Sequence, residues 1–241
     1  MPSKKVTLET NRLLSCLPQG EYKKILQHCK TVELVFGSTL CEPDQPYEYA
    51  YFPLSGFISL VTTLAAHQPL EMGLIGNEGM LGATLLLDTD RTPMRAVVQG
   101  AGTALQIDAH ELQQQLLDCP ILMKILQRYL YVSVAQLSQN YACTHFHEIA
   151  PRLARWLLMT HDRAHSEHFH LTHELLADML GVRRSGITIA AGELQKQNLI
   201  SYTRGNIHIL DRAGLEEASC ECYQALIDDY QQLFDKNTHS L

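Results

Sequence analysis

A chain of 241 residues, 46% apolar and 19% charged, holds enough apolar side chain for a real core, which excludes disorder as its dominant state. No run reaches the roughly eighteen uninterrupted apolar residues of a membrane span, and Met1-Pro2-Ser3-Lys4-Lys5-Val6 lacks the long apolar segment of a secretory signal. A cytoplasmic protein without membrane contact is expected, its seven cysteines reduced, and the net charge of −7 excludes a uniformly basic surface.

Residues 12–30 read as a short helix, with Leu13, Leu14, Leu17, Ile25 and Leu26 at helical spacing around Pro18 and Gly20. From residue 32 to 107 the texture changes. Short apolar or alternating runs, such as Phe57-Ile58-Ser59-Leu60-Val61 and Ala104-Leu105-Gln106-Ile107, are punctuated by Gly, Pro, Asp and Asn. That is the pattern of a compact all-β unit. Residues 109–118 form a helix, and Pro120 suits the first position of the next. Over 121–143, Leu122, Ile125, Leu126, Tyr129, Val132 and Gln136 follow three-and-four spacing without a breaker. This stripe predicts a dimer seam through Leu122, Ile125, Tyr129, Val132 and Gln136; the alternative is a helix laid along its own β domain. Pro151 opens another helix, residues 152–161. A polar loop, two short helical runs joined at Gly181, an extended pair at 199–202 and 207–210, and an acidic amphipathic helix after Asp211 complete the chain.

The strongest signal lies in residues 171–210. Thr172 is a natural N-cap and Glu174 favours the positive helix end. Gly181 fits a left-handed C-cap. Ile187, Ala190, Ala191 and Leu194 then stand at i, i+3, i+4 and i+7, the buried face of a second helix. Helix, glycine turn and second helix make a helix-turn-helix, and the following hairpin reads as a wing. The outward face of the second helix carries Ser185, Ile189 and Lys196, with Arg184 and Thr188 on its flank and Arg183 at its start. Arginine there can donate two hydrogen bonds to guanine, whereas isoleucine can meet a thymine methyl. The alternative is that the arginines are solvated charges and Ile189 packs on another subunit. Residues 151–213 hold eight basic against six acidic residues, while 1–150 hold ten against fourteen and 214–241 one against six. A locally basic block in an acidic chain permits DNA contact.

The run Leu171-Thr172-His173-Glu174-Leu175-Leu176-Ala177-Asp178-Met179-Leu180-Gly181-Val182-Arg183-Arg184-Ser185, followed by Leu194-Gln195-Lys196-Gln197-Asn198-Leu199-Ile200, resembles the DNA-binding domain of the Crp/Fnr family of bacterial transcription regulators. Tyr51-Phe52-Pro53-Leu54-Ser55-Gly56 and Gly76-Asn77-Glu78-Gly79-Met80-Leu81-Gly82 resemble the family's cyclic-nucleotide-type β-roll. The resemblance implies an α+β chain: a β-roll sensor in 1–118, a connecting and dimerisation helix in 119–146, and a winged helix-turn-helix with a C-terminal helix in 147–241. It implies a homodimer that binds double-stranded DNA at an inverted-repeat operator through Thr172, Arg183, Arg184, Ser185, Thr188, Ile189, Lys196 and Arg204. RNA polymerase is the further partner it implies, and enzymatic activity is not expected. A protein-interaction module with the same two domains and no operator is the other reading.

The sequence departs from the cyclic-AMP-responsive pattern. Those members present a glutamate to the ribose and an arginine-serine pair to the phosphate, which needs a guanidinium fork. Here Ala83 follows Gly82, and the pair falls near Thr92-Pro93 or Arg91-Thr92; Pro93 has no N–H to offer. A pocket of Gly82, Ala83, Arg91, Thr92 and Arg95 would serve another effector or none.

Cofactors and metals are not expected. Cys16, Cys29 and Cys41 are too widely spaced for an iron–sulfur run. Cys220 and Cys222, two apart on the predicted last helix, would project about 200° from each other and read as buried thiols. His161, His165, His168, His170 and His173 crowd one loop without the spacing of a structural zinc site. No HExxH, GxxxxGK[ST] or GxSxG motif occurs.

Overall fold

The computed structural model describes residues 10–65, 68–164 and 168–235. Two short helices open it, α1 (Arg12–Ser15) and α2 (Gln19–Gln27). The single helix expected over 12–30 is split because Pro18 adopts extended backbone and caps the second piece. Asn11 holds α1 in place: its side chain accepts from Leu13 and Leu14 N–H and donates to the carbonyls of Pro53 and Gly79.

Seven strands follow in two antiparallel sheets. β1 (Lys30–Leu34), β7 (Gly102–Asp108) and β3 (Tyr49–Pro53) form one, in that spatial order. β2 (Thr39–Cys41), β6 (Arg95–Gly100), β4 (Phe57–Thr62) and β5 (Leu70–Ile75) form the other. Register pairs Ala50 with Ile107 and Ile58 with Val98, and these four side chains lie in the core with Phe52, Phe57, Met80 and Leu81. A 3-10 turn, Ala83–Leu87, carries the chain from β5 toward β6.

Helix α3 (Ala109–Asp118) leads into α4 (Pro120–Phe146), which has its proline in the first turn. Leu122, Ile125, Leu126, Tyr129 and Val132 are each 5% exposed or less within a single chain. The predicted seam is therefore corrected. Leu122, Ile125, Tyr129 and Val132 are buried within their own chain, and Gln136 is half-buried beside the cavity between α4 and the second sheet. Side chains this deeply buried in a single chain have little surface left to offer a partner. Another face of α4 stays open, with Tyr131 74% and Tyr141 79% exposed and Val134 and Ser138 spaced between them.

The loop Gly76-Asn77-Glu78-Gly79 explains its own glycines. A Cβ at Gly76 would lie 2.6 Å from Arg163 Cγ, and one at Gly79 would lie 2.5 Å from the Tyr129 hydroxyl. Their absence lets α4 and α5 (Ile149–Ala164) close on the β domain. Arg163 then reaches Glu78 through Nε (2.8 Å) and Nη2 (2.7 Å) to Oε1, both side chains under a tenth exposed. Beside this pair, Trp156 Nε1 donates to Glu71 Oε1 at 2.7 Å and Ser59 Oγ to Glu71 Oε2 at 2.6 Å.

The C-terminal part holds α6 (His173–Leu180), α7 (Arg184–Lys196) and a three-stranded sheet in the order β8 (His168–His170), β10 (Asn206–Ile209), β9 (Ile200–Thr203). The expected last helix is two helices, α8 (Arg212–Ala218) and α9 (Cys222–Phe234). The break corrects the geometry expected for Cys220 and Cys222: Cys220 lies outside both helices and Cys222 is the first residue of α9. Among the described residues no helix is long and apolar enough to cross a membrane.

Candidate nucleic-acid interface and sensor cavity

Local chemistry sets α6 and α7. Thr172 adopts extended backbone and its Oγ1 accepts from Leu175 N–H at 3.1 Å, which satisfies one of the first-turn donors of α6. Gly181 ends that helix at φ 65°. A β-carbon there would be strained by the left-handed backbone and would lie 2.7 Å from Leu70 Cδ1. Helix α7 then buries Ile187, Ala190, Ala191 and Leu194.

Arg183, Arg184, Ser185, Thr188, Ile189 and Lys196 are all exposed, Ile189 by 64%. Arg183 occupies the N-cap with no side-chain cap bond, so the positive end of α7 faces outward beside two guanidinium groups. Arg184 Nε lies 3.8 Å from Glu174 Oε2, an exposed pair too weak to hold the guanidinium in place. Thr188 is tied down: its hydroxyl meets His173 Nδ1 at 3.0 Å and the Arg184 carbonyl at 3.1 Å. The His173 ring stacks on Tyr202, centroids 4.4 Å apart. Burial, and then the charge of Arg184, hold that imidazole below its usual pKa.

The wing turn has two central residues, Arg204 at φ 51° and Gly205 at φ 85°, between paired Thr203 and Asn206. Both positive angles make it the primed turn that suits a tight hairpin. They set the exposed Arg204 at its tip.

Of the loop histidines, His161, His170 and His173 take separate partners. His161 Nδ1 meets Arg212 Nη1 at 2.6 Å, and His170 Nδ1 meets Asn206 Oδ1 at 3.0 Å. His165 lies outside the described residues.

Between the second sheet, the 3-10 turn and α4 lies a cavity of about 280 Å³. Its walls include Tyr47, Leu74, Met80, Met94, Tyr129, Leu130, Ser133 and Val134, and among the described residues none of its lining side chains is charged. Gly82, Ala83 and Thr92 line it; Arg91 and Arg95 do not. Those two are corrected out of the pocket. Arg91 is exposed and donates to the Asp44 carbonyl, and Arg95 pairs with Glu42 at 2.8 Å. Thr92 is buried, and its hydroxyl serves the Met94 backbone. Burial pushes the thiols of Cys29 and Cys41 up to about 11 each, which leaves them unreactive.

Residues 31–119 match the cyclic nucleotide-binding domain family, and residues 151–218 match the Crp-like helix-turn-helix domain family. The global nitrogen regulator of Synechocystis is 22% identical over 189 residues, covering 74% of this chain and 84% of the relative. A transcriptional regulator of the crp/fnr family from Eubacterium rectale superposes with a TM-score of 0.68 at 17% identity, over 86% of this chain and 96% of the other. FixK2 from Bradyrhizobium japonicum gives 0.67 at 14% identity, over 80% and 98%. At these identities the superpositions speak for the fold.

Proposed function

The chain belongs to the Crp/Fnr family of transcription regulators and carries its DNA-binding helix-turn-helix, and from that premise we propose a homodimer that reads an inverted-repeat operator. The observation that carries this reading is the outward face of α7, where Arg183, Arg184, Ser185 and Ile189 stand exposed at an uncapped helix start. An exposed isoleucine on the helix that begins with these arginines suits apolar contact with a thymine methyl in the major groove.

In this reading Arg184 donates to a guanine edge and Ile189 meets a thymine methyl further along the groove. Arg183, Thr172, Ser185 and Lys196 approach the flanking backbone, and Thr188 positions Arg184 by bonding its carbonyl. Arg204 meets phosphate from the wing. The sensor takes residues 1–118, the connecting helix 119–146 and the reader 147–241. Dimerisation uses the open face of α4: Tyr131, Val134, Ser138 and Tyr141 are spaced by three, four and three, the rhythm of a coiled-coil seam. Two-fold symmetry then sets half-sites about 34 Å apart. The sensor does not answer to cyclic AMP. A cyclic phosphate needs a buried guanidinium, and this cavity offers an uncharged wall that suits a neutral, mostly apolar molecule.

Selection from a random DNA library tests the reading. Wild type should yield a two-fold motif. Arg184→Ala should lose roughly 1–3 kcal/mol and relax one base-pair position in each half-site, while Arg204→Ala should weaken all sequences alike and flatten the salt dependence. An unchanged motif with Arg184→Ala, or an altered one with Arg204→Ala, would overturn the assignment.

A further inference from the structure

Four metal-ligand atoms converge at the joint between α4 and the C-terminal helices. Cys143, in the last turn of α4, and His147, which caps that helix, are four residues apart and so share a face. Cys220 and Cys222 come from the break between α8 and α9. The four ligand atoms all lie within 4.8 Å of one another, with Cys143 Sγ 3.6 Å from Cys220 Sγ and Cys222 Sγ 3.5 Å from His147 Nδ1. The three cysteines are buried, and together they form a small cluster apart from the main core.

We propose that Cys143, His147, Cys220 and Cys222 bind one tetrahedral divalent ion of the zinc or ferrous class. The Cys143–Cys220 and Cys222–His147 separations match a single ion: bonds of about 2.3 Å to sulfur and about 2.0 Å to nitrogen put two tetrahedral sulfurs roughly 3.8 Å apart and a sulfur and a nitrogen roughly 3.5 Å apart. A polynuclear iron–sulfur cluster would spread its cysteines wider, and calcium or magnesium would want oxygen. Three thiolates and an imidazole are the donor set of a closed structural site.

The surrounding groups are those such a site uses. His147 turns its other nitrogen, Nε2, to Glu221 Oε1 at 3.1 Å, the carboxylate that orients a ligating imidazole and fixes its tautomer. Gln139 Nε2 points at Cys222 Sγ from 3.0 Å, as a donor to a thiolate would. Binding replaces up to three thiol protons by one ion. It would fasten the end of α4 to the head of α9, and so fix how the reading helices hang from the connecting helix.

The test is metal analysis of the full-length protein, purified under reducing conditions without a metal-affinity step. About one zinc or iron per protomer is expected. Cobalt(II) exchanged into the site should give the intense sulfur-to-metal absorption of tetrahedral thiolate coordination. Cys222→Ser should weaken that absorption, and His147→Cys should keep the ion with a shifted spectrum. A chelator strong enough to strip the ion should lower the melting temperature of wild type and leave that of Cys143→Ser unmoved. A folded wild-type protein with less than about a tenth of an equivalent of metal, and no sulfur-to-cobalt band when cobalt is supplied, would refute the site whatever the variants do.

Discussion

Arg163 and Glu78 join the β domain to α5 as a buried ion pair, and a double-mutant cycle measures that joint. Arg163→Met removes both N–H donors from Glu78 Oε1 and leaves the carboxylate with the Gly76 N–H at 3.2 Å as its one remaining bond among the described residues. A buried charge stripped of its partner costs about 3–5 kcal/mol. Glu78→Gln keeps an acceptor but leaves the guanidinium, already bonded to the Met159 carbonyl at 3.0 Å, without its ion-pair partner; about 2–3 kcal/mol should follow. The double variant buries no charge and should lose only about 1–2 kcal/mol, mostly hydrogen bonding. The coupling is thus about 3 kcal/mol or more. Denaturant unfolding at one protein concentration, followed through Trp156, is the assay; it is the chain's one tryptophan and sits at the same joint. Single effects that add to within about 0.5 kcal/mol would show that the pair is solvated or formed only in part.

Replacing both Tyr131 and Tyr141 by Glu should give monomers in sedimentation without loss of fold, since both side chains are more than seven-tenths exposed; an intact dimer would place the seam elsewhere. Burial raises the Glu71 carboxyl from 4.5 to about 7 against the lowering pull of its Ser59 and Trp156 hydrogen bonds. The folded chain therefore keeps a proton that the unfolded chain releases. That contribution is full below pH 4.5 and fades as pH rises to 7, by at most about 3 kcal/mol. Glu71→Gln should abolish this slope in unfolding experiments, and a slope unchanged by the substitution would assign it to another group. Cyclic AMP at millimolar concentration should give no saturable heat in calorimetry; micromolar binding coupled to tighter DNA binding would contradict the uncharged cavity as the reason.

The helix-turn-helix was legible because its signals are local: a capping Thr172, a left-handed Gly181 and four small apolar residues in phase lie within about two dozen positions. The β domain was legible from its punctuation. The face of α4 was not, because that helix is apolar on opposite sides. Ile125 and Val132 have the same spacing as Val134 and Tyr141, and only tertiary packing decides which pair is covered. Arg91 and Arg95 follow the sequence neighbourhood of a phosphate site, yet exposed carboxylates and carbonyls draw both guanidiniums outward. The break at Ser219–Glu221 carries neither Gly nor Pro, so a continuous helix was the natural expectation there. Cys143 and Cys220 are 77 residues apart, beyond the reach of any spacing rule.

Strand β5 is a partition with tenants on every side. Leu70 abuts the turn at Gly181, Glu71 holds Trp156, the Met72 carbonyl takes the Asn140 amide at 2.7 Å, and Met72 through Ile75 wall the cavity. Six residues therefore stand between the cavity and the helix-turn-helix. Substitutions at Leu70 and Glu71, which lie off the cavity wall, would still alter the joint between the cavity and the helix-turn-helix. A genetic screen for variants that ignore their signal, or act without it, should gather its hits on this strand more densely than on the recognition helix.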